Sequence, residues 1–221
     1  MSEWVVLDIE GTLSATDQVL VTLYGYARPR LGPWIDEHPD DPAVVEAVAQ
    51  IRELSGVDGG TGELVRVLHG WMDADQKVTP LKTLQGLIWQ QGYAQGDLVA
   101  EFFPDVVPAL REWHDEGKNL AVFSSGSVAG QVAFFAHTTD GDLTSLFEYH
   151  FDTVNAGPKR EAGSYLKIAS VLDSGDITFY SDVPAELDAA AEAGWQTVGV
   201  ARPGEPYGDA DFGPHRTVDA L

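Results

Sequence analysis

Trp4-Val5-Val6-Leu7-Asp8-Ile9-Glu10-Gly11-Thr12 places four apolar residues directly before two carboxylates and a glycine. An apolar run this short, ended by a glycine turn, reads as a buried strand that opens into a loop. Asp8 and Glu10 then stand at the strand's carboxyl end, where open α/β folds bind ligands. Carboxylates are seldom buried without a partner, and a Mg²⁺ ion is a natural one. Taken alone, Asp-x-Glu-Gly is more often the start of a polar surface turn. The rest of the chain decides between the two.

Five apolar segments read as strands: Val5 to Asp8, Leu120 to Phe123, Tyr149 to Asp152, Ile177 to Tyr180 and Thr197 to Ala201. Helical patterns lie around and between the last four. Pro108 to Glu116 stops at Gly117, Ala162 to Leu172 carries Tyr165, Ile168, Ala169 and Leu172 at helical spacing, and Pro184 to Ala193 starts with proline and stops at Gly194. Strands alternating with helices predict an α/β fold, a Rossmann-like parallel sheet wound on both faces. Pro203 to Pro214, rich in glycine and proline, predicts a loop followed by a short terminal element.

Between the first two strands the character changes. From Ser14 to Glu101 there is no convincing strand, and three apolar stripes recur at helical spacing: Val44, Ala47, Val48, Ile51 and Leu54; Leu64, Val65, Leu68 and Trp71; Leu81, Leu84, Leu87 and Ile88. These stripes predict a helical cap that packs against itself. The expected organisation is a catalytic core of residues 1–13 and 102–221 with a cap of residues 14–101 inserted after the first motif.

Composition narrows the function. Of 221 residues, 35 are acidic and 13 basic, for a formal charge of −22. Such a field repels nucleic acid and anionic lipid, so neither is an expected partner. A phosphorylated metabolite would need local positive charge from a metal, a lysine or backbone N–H groups. The chain has no cysteine, which excludes disulfides, zinc-thiolate sites and cysteine nucleophiles and fits a cytoplasmic protein. No secretory leader is recognisable, and no apolar run nears the roughly 18 residues that span a bilayer.

The remaining polar landmarks each follow a predicted strand. Ser124-Ser125-Gly126-Ser127 offers hydroxyls and turn N–H groups to phosphoryl oxygens, although a serine-rich turn is more often a helix cap. Lys159, in Gly157-Pro158-Lys159, could equally be a solvated lysine, and Asp182, in Ser181-Asp182-Val183-Pro184-Ala185-Glu186, could equally cap a helix. In a parallel sheet, however, Asp8, Glu10, Ser124, Lys159 and Asp182 converge at one rim. Together they supply a metal site, a phosphate cradle and a compensating cation.

With these residues the chain resembles the haloacid dehalogenase superfamily of phosphotransferases. Asp8-Ile9-Glu10-Gly11-Thr12 matches the first motif, Ser124 the second, Lys159 the third and Ser181-Asp182 the fourth. Glu10 stands where most of the superfamily has a second aspartate, and Asp-x-Glu-Gly-Thr is similar to the enolase-phosphatases, or acireductone synthases. Leu81-Lys82-Thr83-Leu84-Gln85-Gly86 with Trp89, Phe102-Phe103-Pro104-Asp105, Ser124 to Val128 with Gln131, and Ala201-Arg202-Pro203-Gly204 agree. The resemblance runs from about Lys77 to Gly204 and is poorer from Ser14 to Gln76; Ala156-Gly157-Pro158 also departs from the family's usual Ile-Gly-His type loop.

The resemblance implies an activity: conversion of 2,3-diketo-5-methylthiopentyl 1-phosphate into 1,2-dihydroxy-3-keto-5-methylthiopentene and phosphate, a step of methionine salvage. It implies Asp8 as nucleophile, Glu10 as acid and base, and Ser124, Ser125 and Lys159 on the phosphate. It further implies one Mg²⁺ per subunit, held by the side chains of Asp8 and Asp182 and the backbone carbonyl of Glu10, with Glu186 in support, in a monomeric protein. The alternatives are a phosphatase of the same superfamily acting on another small phosphomonoester, and a phosphate- or metal-sensing module without turnover.

Overall fold

The computed structural model describes residues 3–221. In chain order the elements are β1 (Trp4–Leu7), α1 (Tyr24–Ala27), α2 (Leu31–Glu37), α3 (Pro42–Ser55), α4 (Thr61–Asp73), α5 (Thr79–Gln95), α6 (Val106–Asp115), β2 (Asn119–Phe123), α7 (Val128–Ala136), β3 (Phe147–Phe151), α8 (Ala162–Leu172), β4 (Ile177–Ser181), α9 (Pro184–Glu192), β5 (Gln196–Val200) and β6 (Arg216–Val218). The chain divides into two compact units. One joins residues 1–18 to 99–221, and the other spans 19–98.

The first unit is built on a six-stranded sheet in the order β3-β2-β1-β4-β5-β6, with every neighbouring pair parallel. All four residues of β1 are buried, as expected of a central strand covered on both faces. Leu7 lies opposite Val122 of β2 and Tyr180 of β4. Chain order reverses direction at β1, between β2 and β4, so the switch point that opens a ligand crevice falls beside Asp8.

Alternation along the strands splits the apolar residues between the faces. Trp4, Val6, Ala121, Phe123, Ile177 and Phe179 pack with Tyr165, Ile168 and Leu172 of α8 and Leu187 and Ala190 of α9. Towards the other face Trp113 of α6 brings its ring to 5.2 Å from Tyr180. Helix starts follow local chemistry: Ser127 Oγ accepts from Gly130 N at the head of α7, and Pro184 opens α9, where its missing N–H is no loss.

The short terminal element expected after residues 203–214 is a sixth strand, and residues at both ends of the inserted segment bond within the sheet-bearing unit. β6 was not legible as a strand, because Arg216 and Thr217 are polar and exposed; it forms by pairing with β5 after the glycine- and proline-rich loop. Phe212 of that loop lies against Gly199, where a Cβ would collide with the ring. At the other end of the unit, Ser14 is fully buried and its hydroxyl donates to Glu101 O at 2.7 Å, while Gln18 Nε2 donates to Val99 O. Residues 14–18 and 99–101 therefore compact with the sheet.

The second unit is helical. Leu31, Ile35, Val44, Ala47, Ile51, Leu64, Leu68, Met72, Leu81, Leu84 and Ile88 form its core. Asp41 caps α3 by accepting from Ala43 N and Val44 N, and Gly56 ends it in the left-handed region. Two stripes shift at their ends. Met72, four residues beyond Leu68, is buried where the sequence pattern pointed to Trp71, which is only half-buried, and Leu54 is 61% exposed on the last turn of α3.

Candidate active site

The four landmarks that follow strands come to the carboxyl edge of the sheet. Asp8 continues β1, and its N–H donates to Tyr180 O. Gly11, at φ +70°, lets residues 9–14 fold back tightly: Leu13 N and Ser14 N both donate to Ile9 O, and Gly11 N donates to Ser14 O. A Cβ on Gly11 would collide with the Asp182 carboxylate, so a glycine is needed both for the turn and for the approach.

Lys159 binds this edge together. Its Nζ lies 2.7 Å from Asp8 Oδ1 and 2.6 Å from Glu186 Oε2. Two side chains of α8 and a glycine of the loop itself fix the segment that carries it. Ser164 Oγ donates to Pro158 O, Tyr165 Oη donates to Lys159 O, and Gly157, at φ +123°, leaves room for the Ser164 hydroxyl. The rings of Phe123 and Phe179 lie 5.8 and 6.0 Å from the ammonium.

Ser181 Oγ is placed between Asp8 Oδ2, at 3.3 Å, and Glu186 Oε2, at 3.1 Å, and accepts from Val183 N. Asp182 is fixed through Thr12, whose hydroxyl accepts from Asp182 N and lies 3.4 Å from Asp182 Oδ1. Thr12 is held in turn by Arg202, whose Nε donates to Thr12 O while Nη1 pairs with Asp105 at 2.7 Å.

Asp8, Asp182 and Glu186 are 4%, 3% and 7% exposed, and Lys159 is 8% exposed. Three buried carboxylates thus face one buried ammonium. Burial, with the charge of Asp8 beside it, pushes the Asp182 carboxyl up to about 8. Burial also raises Glu186 to about 7, although Lys159 works against the shift. For Lys159 burial disfavours the charge, but Asp8 and Glu186 outweigh it and the ammonium's pKa is raised.

This charge imbalance bears on a metal. When all four groups are ionised, two negative charges stand uncompensated at a buried edge, the condition that a divalent cation relieves. Among the described residues no three His, Cys, Asp or Glu side chains cluster as the ligands of one ion. A set of two carboxylates and a backbone carbonyl is compatible with that, and hard oxygen donors suit Mg²⁺.

Ser124 follows β2, one residue beyond Phe123, which the β1–β2 register sets beside Asp8, and is buried; its Oγ accepts from Gly126 N. Ser125 is half-buried in the same turn, and Glu10 is half-buried in the turn after β1. Ion pairs and hydrogen bonds thus link Asp8, Lys159, Glu186 and Ser181, and Thr12 with Asp182; Glu10, Ser124 and Ser125 lie at the same edge by chain position. Sequence reasoning did not single out Ser181 or Thr12 as site residues. For Ser181 a signal existed: Ile177, Phe179 and Ser181 share the buried parity of β4, and a serine in that series needs a polar partner.

The family model for haloacid dehalogenase-like hydrolases matches residues 3–194. "Enolase-phosphatase E1" of Saccharopolyspora erythraea is 65% identical over 225 residues, covering 100% of this chain and 94% of that protein. The chain belongs to the enolase-phosphatases of the haloacid dehalogenase-like hydrolases. The enolase-phosphatase E1 of Streptomyces avermitilis is 55% identical, covering 96% of this chain and 90% of its own. Among solved structures, the UTR4 protein of Saccharomyces cerevisiae superposes with a TM-score of 0.79 at 28% identity, covering 100% and 99% of the two chains. CbbY of Rhodobacter sphaeroides, at 20% identity and a TM-score of 0.61, shares the fold. The enolase-phosphatase assignment thus rests on the whole chain, including residues 14–76, where motif resemblance alone was poor.

Proposed function

We infer that this enolase-phosphatase converts 2,3-diketo-5-methylthiopentyl 1-phosphate into 1,2-dihydroxy-3-keto-5-methylthiopentene and phosphate, a step of methionine salvage. The observation that carries the chemical reading is the Lys159 ammonium, held between Asp8 and Glu186 at a buried sheet edge. The ion pair holds the Asp8 carboxylate at a fixed point of the buried edge, where a nucleophile is needed, rather than at the surface.

In this reading a proton leaves C1 and the C2 carbonyl oxygen gains one, giving the enol phosphate. An Asp8 carboxylate oxygen then attacks phosphorus, the bond from phosphorus to the C1 oxygen breaks, and Glu10 protonates that oxygen. Glu10 next takes a proton from water, which attacks phosphorus, releases phosphate and restores Asp8. Lys159 screens the repulsion between Asp8 and the incoming phosphate, and Ser124 and Ser125 hold its oxygens. Glutamate at position 10 reaches one methylene farther than aspartate, which gives it access to the C1 proton as well.

Asp8, Asp182 and the Glu10 carbonyl, with Glu186 in support, would hold one Mg²⁺ per subunit, which when bound would neutralise phosphoryl oxygens. The buried excess of carboxylates supports it. The sheet-bearing unit carries the chemistry in this reading, and the helical unit of residues 19–98 selects among organic tails. A cytoplasmic monomer fits a strongly acidic chain without cysteine. Among the described residues no helix is long and apolar enough to cross a membrane.

Acid-quenching the enzyme during turnover of the diketone phosphate, followed by borohydride reduction, tests the reading. Conversion of Asp8 to homoserine, read by peptide mass spectrometry, is the expected result. Labelling of Asp8 by other phosphomonoesters and not by this one would move the protein to a general phosphatase.

A further inference from the structure

The turn that follows β2 is fastened from below by one buried side chain that the proposed chemistry does not use. Gln131, on the second turn of α7, is 2% exposed. Its Nε2 lies 2.9 Å from Gly126 O and 2.8 Å from Phe151 O, and its Oε1 lies 3.2 Å from His150 Nδ1. Both carbonyl oxygens can only accept, so the carboxamide must turn its NH₂ to them and its oxygen to His150. That orientation in turn requires the proton of neutral His150 to sit on Nδ1.

Two consequences follow for the turn. Phe151 O also accepts from Ser124 N, so Gln131 and Ser124 are tied to one point at the end of β3. The Gly126–Ser127 peptide bond is trans, so fixing Gly126 O towards Gln131 directs the Ser127 N–H the opposite way. The remaining connections stiffen the same segment: Gly126 N donates to Ser124 Oγ, Val128 N donates to Asp152 Oδ2, and Asp152 Oδ1 accepts from Val154 N and Asn155 N.

We infer that Gln131 is a positioning residue for phosphate recognition, setting the facing of the Gly126–Ser127 peptide and the height of Ser124 through its two carbonyl hydrogen bonds. The inference rests on the reading of Ser124 to Ser127 as the phosphate cradle and goes beyond it by naming what holds the cradle open. Loss of the clamp lets the Gly126–Ser127 peptide rotate, at the cost of a donor aimed at an anion. The deficit therefore falls on phosphate affinity and KM more than on kcat.

Titration of inorganic phosphate into the Mg²⁺-loaded protein by calorimetry, for wild type, Ser124→Ala and Gln131→Met, tests this. Methionine keeps the length and volume of glutamine without its donors. Both variants should weaken phosphate, Gln131→Met by about tenfold, the scale of one lost hydrogen bond to a charged group, with KM for the diketone phosphate rising in step. If Ser124→Ala binds phosphate as wild type does, the cradle reading falls and the inference with it. If Ser124→Ala weakens binding while Gln131→Met does not, the inference alone is overturned. Nitrogen-15 NMR of His150 in the wild-type protein gives a second test that needs no variant. The proton should be on Nδ1, and a proton on Nε2 with a bare Nδ1 would mean that Gln131 is turned over and the clamp absent.

Discussion

Lys159 Nζ lies 2.6 Å from Glu186 Oε2, and the same nitrogen lies 2.7 Å from Asp8 Oδ1. One buried cation therefore serves two buried carboxylates and offsets part of their charge. Replacing it by methionine should lower kcat/KM by about 10²–10³-fold, the scale of removing one preorganised charge-stabilising donor. Lys159→Arg should not restore activity, because a planar fork cannot occupy a point between Asp8 and Glu186. Steady-state kinetics on the diketone phosphate measure both; an arginine variant within about threefold of wild type would contradict the account.

The raised carboxyl groups give a pH dependence with a definite sign. Asp182, pushed up to about 8, and Glu186, to about 7, take up protons on folding. Their contribution is fully present below the ordinary carboxylate range and is lost as pH rises through 7 to 8. In EDTA the melting temperature should fall between pH 6 and 9 on this account. Added Mg²⁺ should reverse the fall, and stabilise more at pH 9 than at pH 6, where protons compete for the same carboxylates. Thermal melts across that range with and without Mg²⁺ decide it.

Thr12 and Gly11 govern Asp182. Thr12→Val removes the hydroxyl that meets Asp182 N and Oδ1 while keeping the shape, and Mg²⁺ affinity should weaken by about tenfold. Gly11→Ala adds a Cβ against the carboxylate at a φ that disfavours alanine, and should weaken Mg²⁺ further. Calorimetric titration of Mg²⁺ reads both, without any need for turnover.

Glu10→Gln separates the two half-reactions. With the carboxylate gone, exchange of the C1 hydrogen for deuterium in D₂O should be lost together with phosphate release. Undiminished exchange in this variant, followed by NMR, would remove Glu10 from the enolisation step and leave it only the leaving oxygen and water.

In the helical unit, Leu68→Ala should cost about 2–5 kcal/mol in urea unfolding, whereas Leu54→Ala should cost less than about 0.5 kcal/mol. Leu68 is fully buried and Leu54 is 61% exposed, though both lie on apolar stripes in the sequence.

The contrast between those two leucines marks what periodicity reveals. The centres of strands and helices were legible because burial repeats with the element's own period: Val5 to Leu7, Leu120 to Phe123 and Ile168 to Leu172 lie where the pattern put them. Helix ends and sheet edges were not. Leu54 falls on a last turn with nothing packed over it, and β6 exists by virtue of the hydrogen bonds that β5 offers. At the site, carboxylates and lysine after strands were visible because charged residues are rare beside buried runs. Ser181 carried only a parity signal, as a serine in the buried series of β4, and Thr12 carried none, because a hydroxyl looks the same in sequence whether it faces solvent or a buried carboxylate. Gln131 was visible only as part of a resemblance; its role depends on β3 ending beside α7, a relation that no local pattern carries.

The most direct test follows 2,3-diketo-5-methylthiopentyl 1-phosphate with purified protein and Mg²⁺ under anaerobic conditions, recording enediol absorbance and free phosphate together, with Asp8→Asn alongside. Equal amounts of both products from wild type, and no phosphate from Asp8→Asn, are the predicted result. An inert diketone phosphate, or phosphate release that survives in Asp8→Asn, would contradict it.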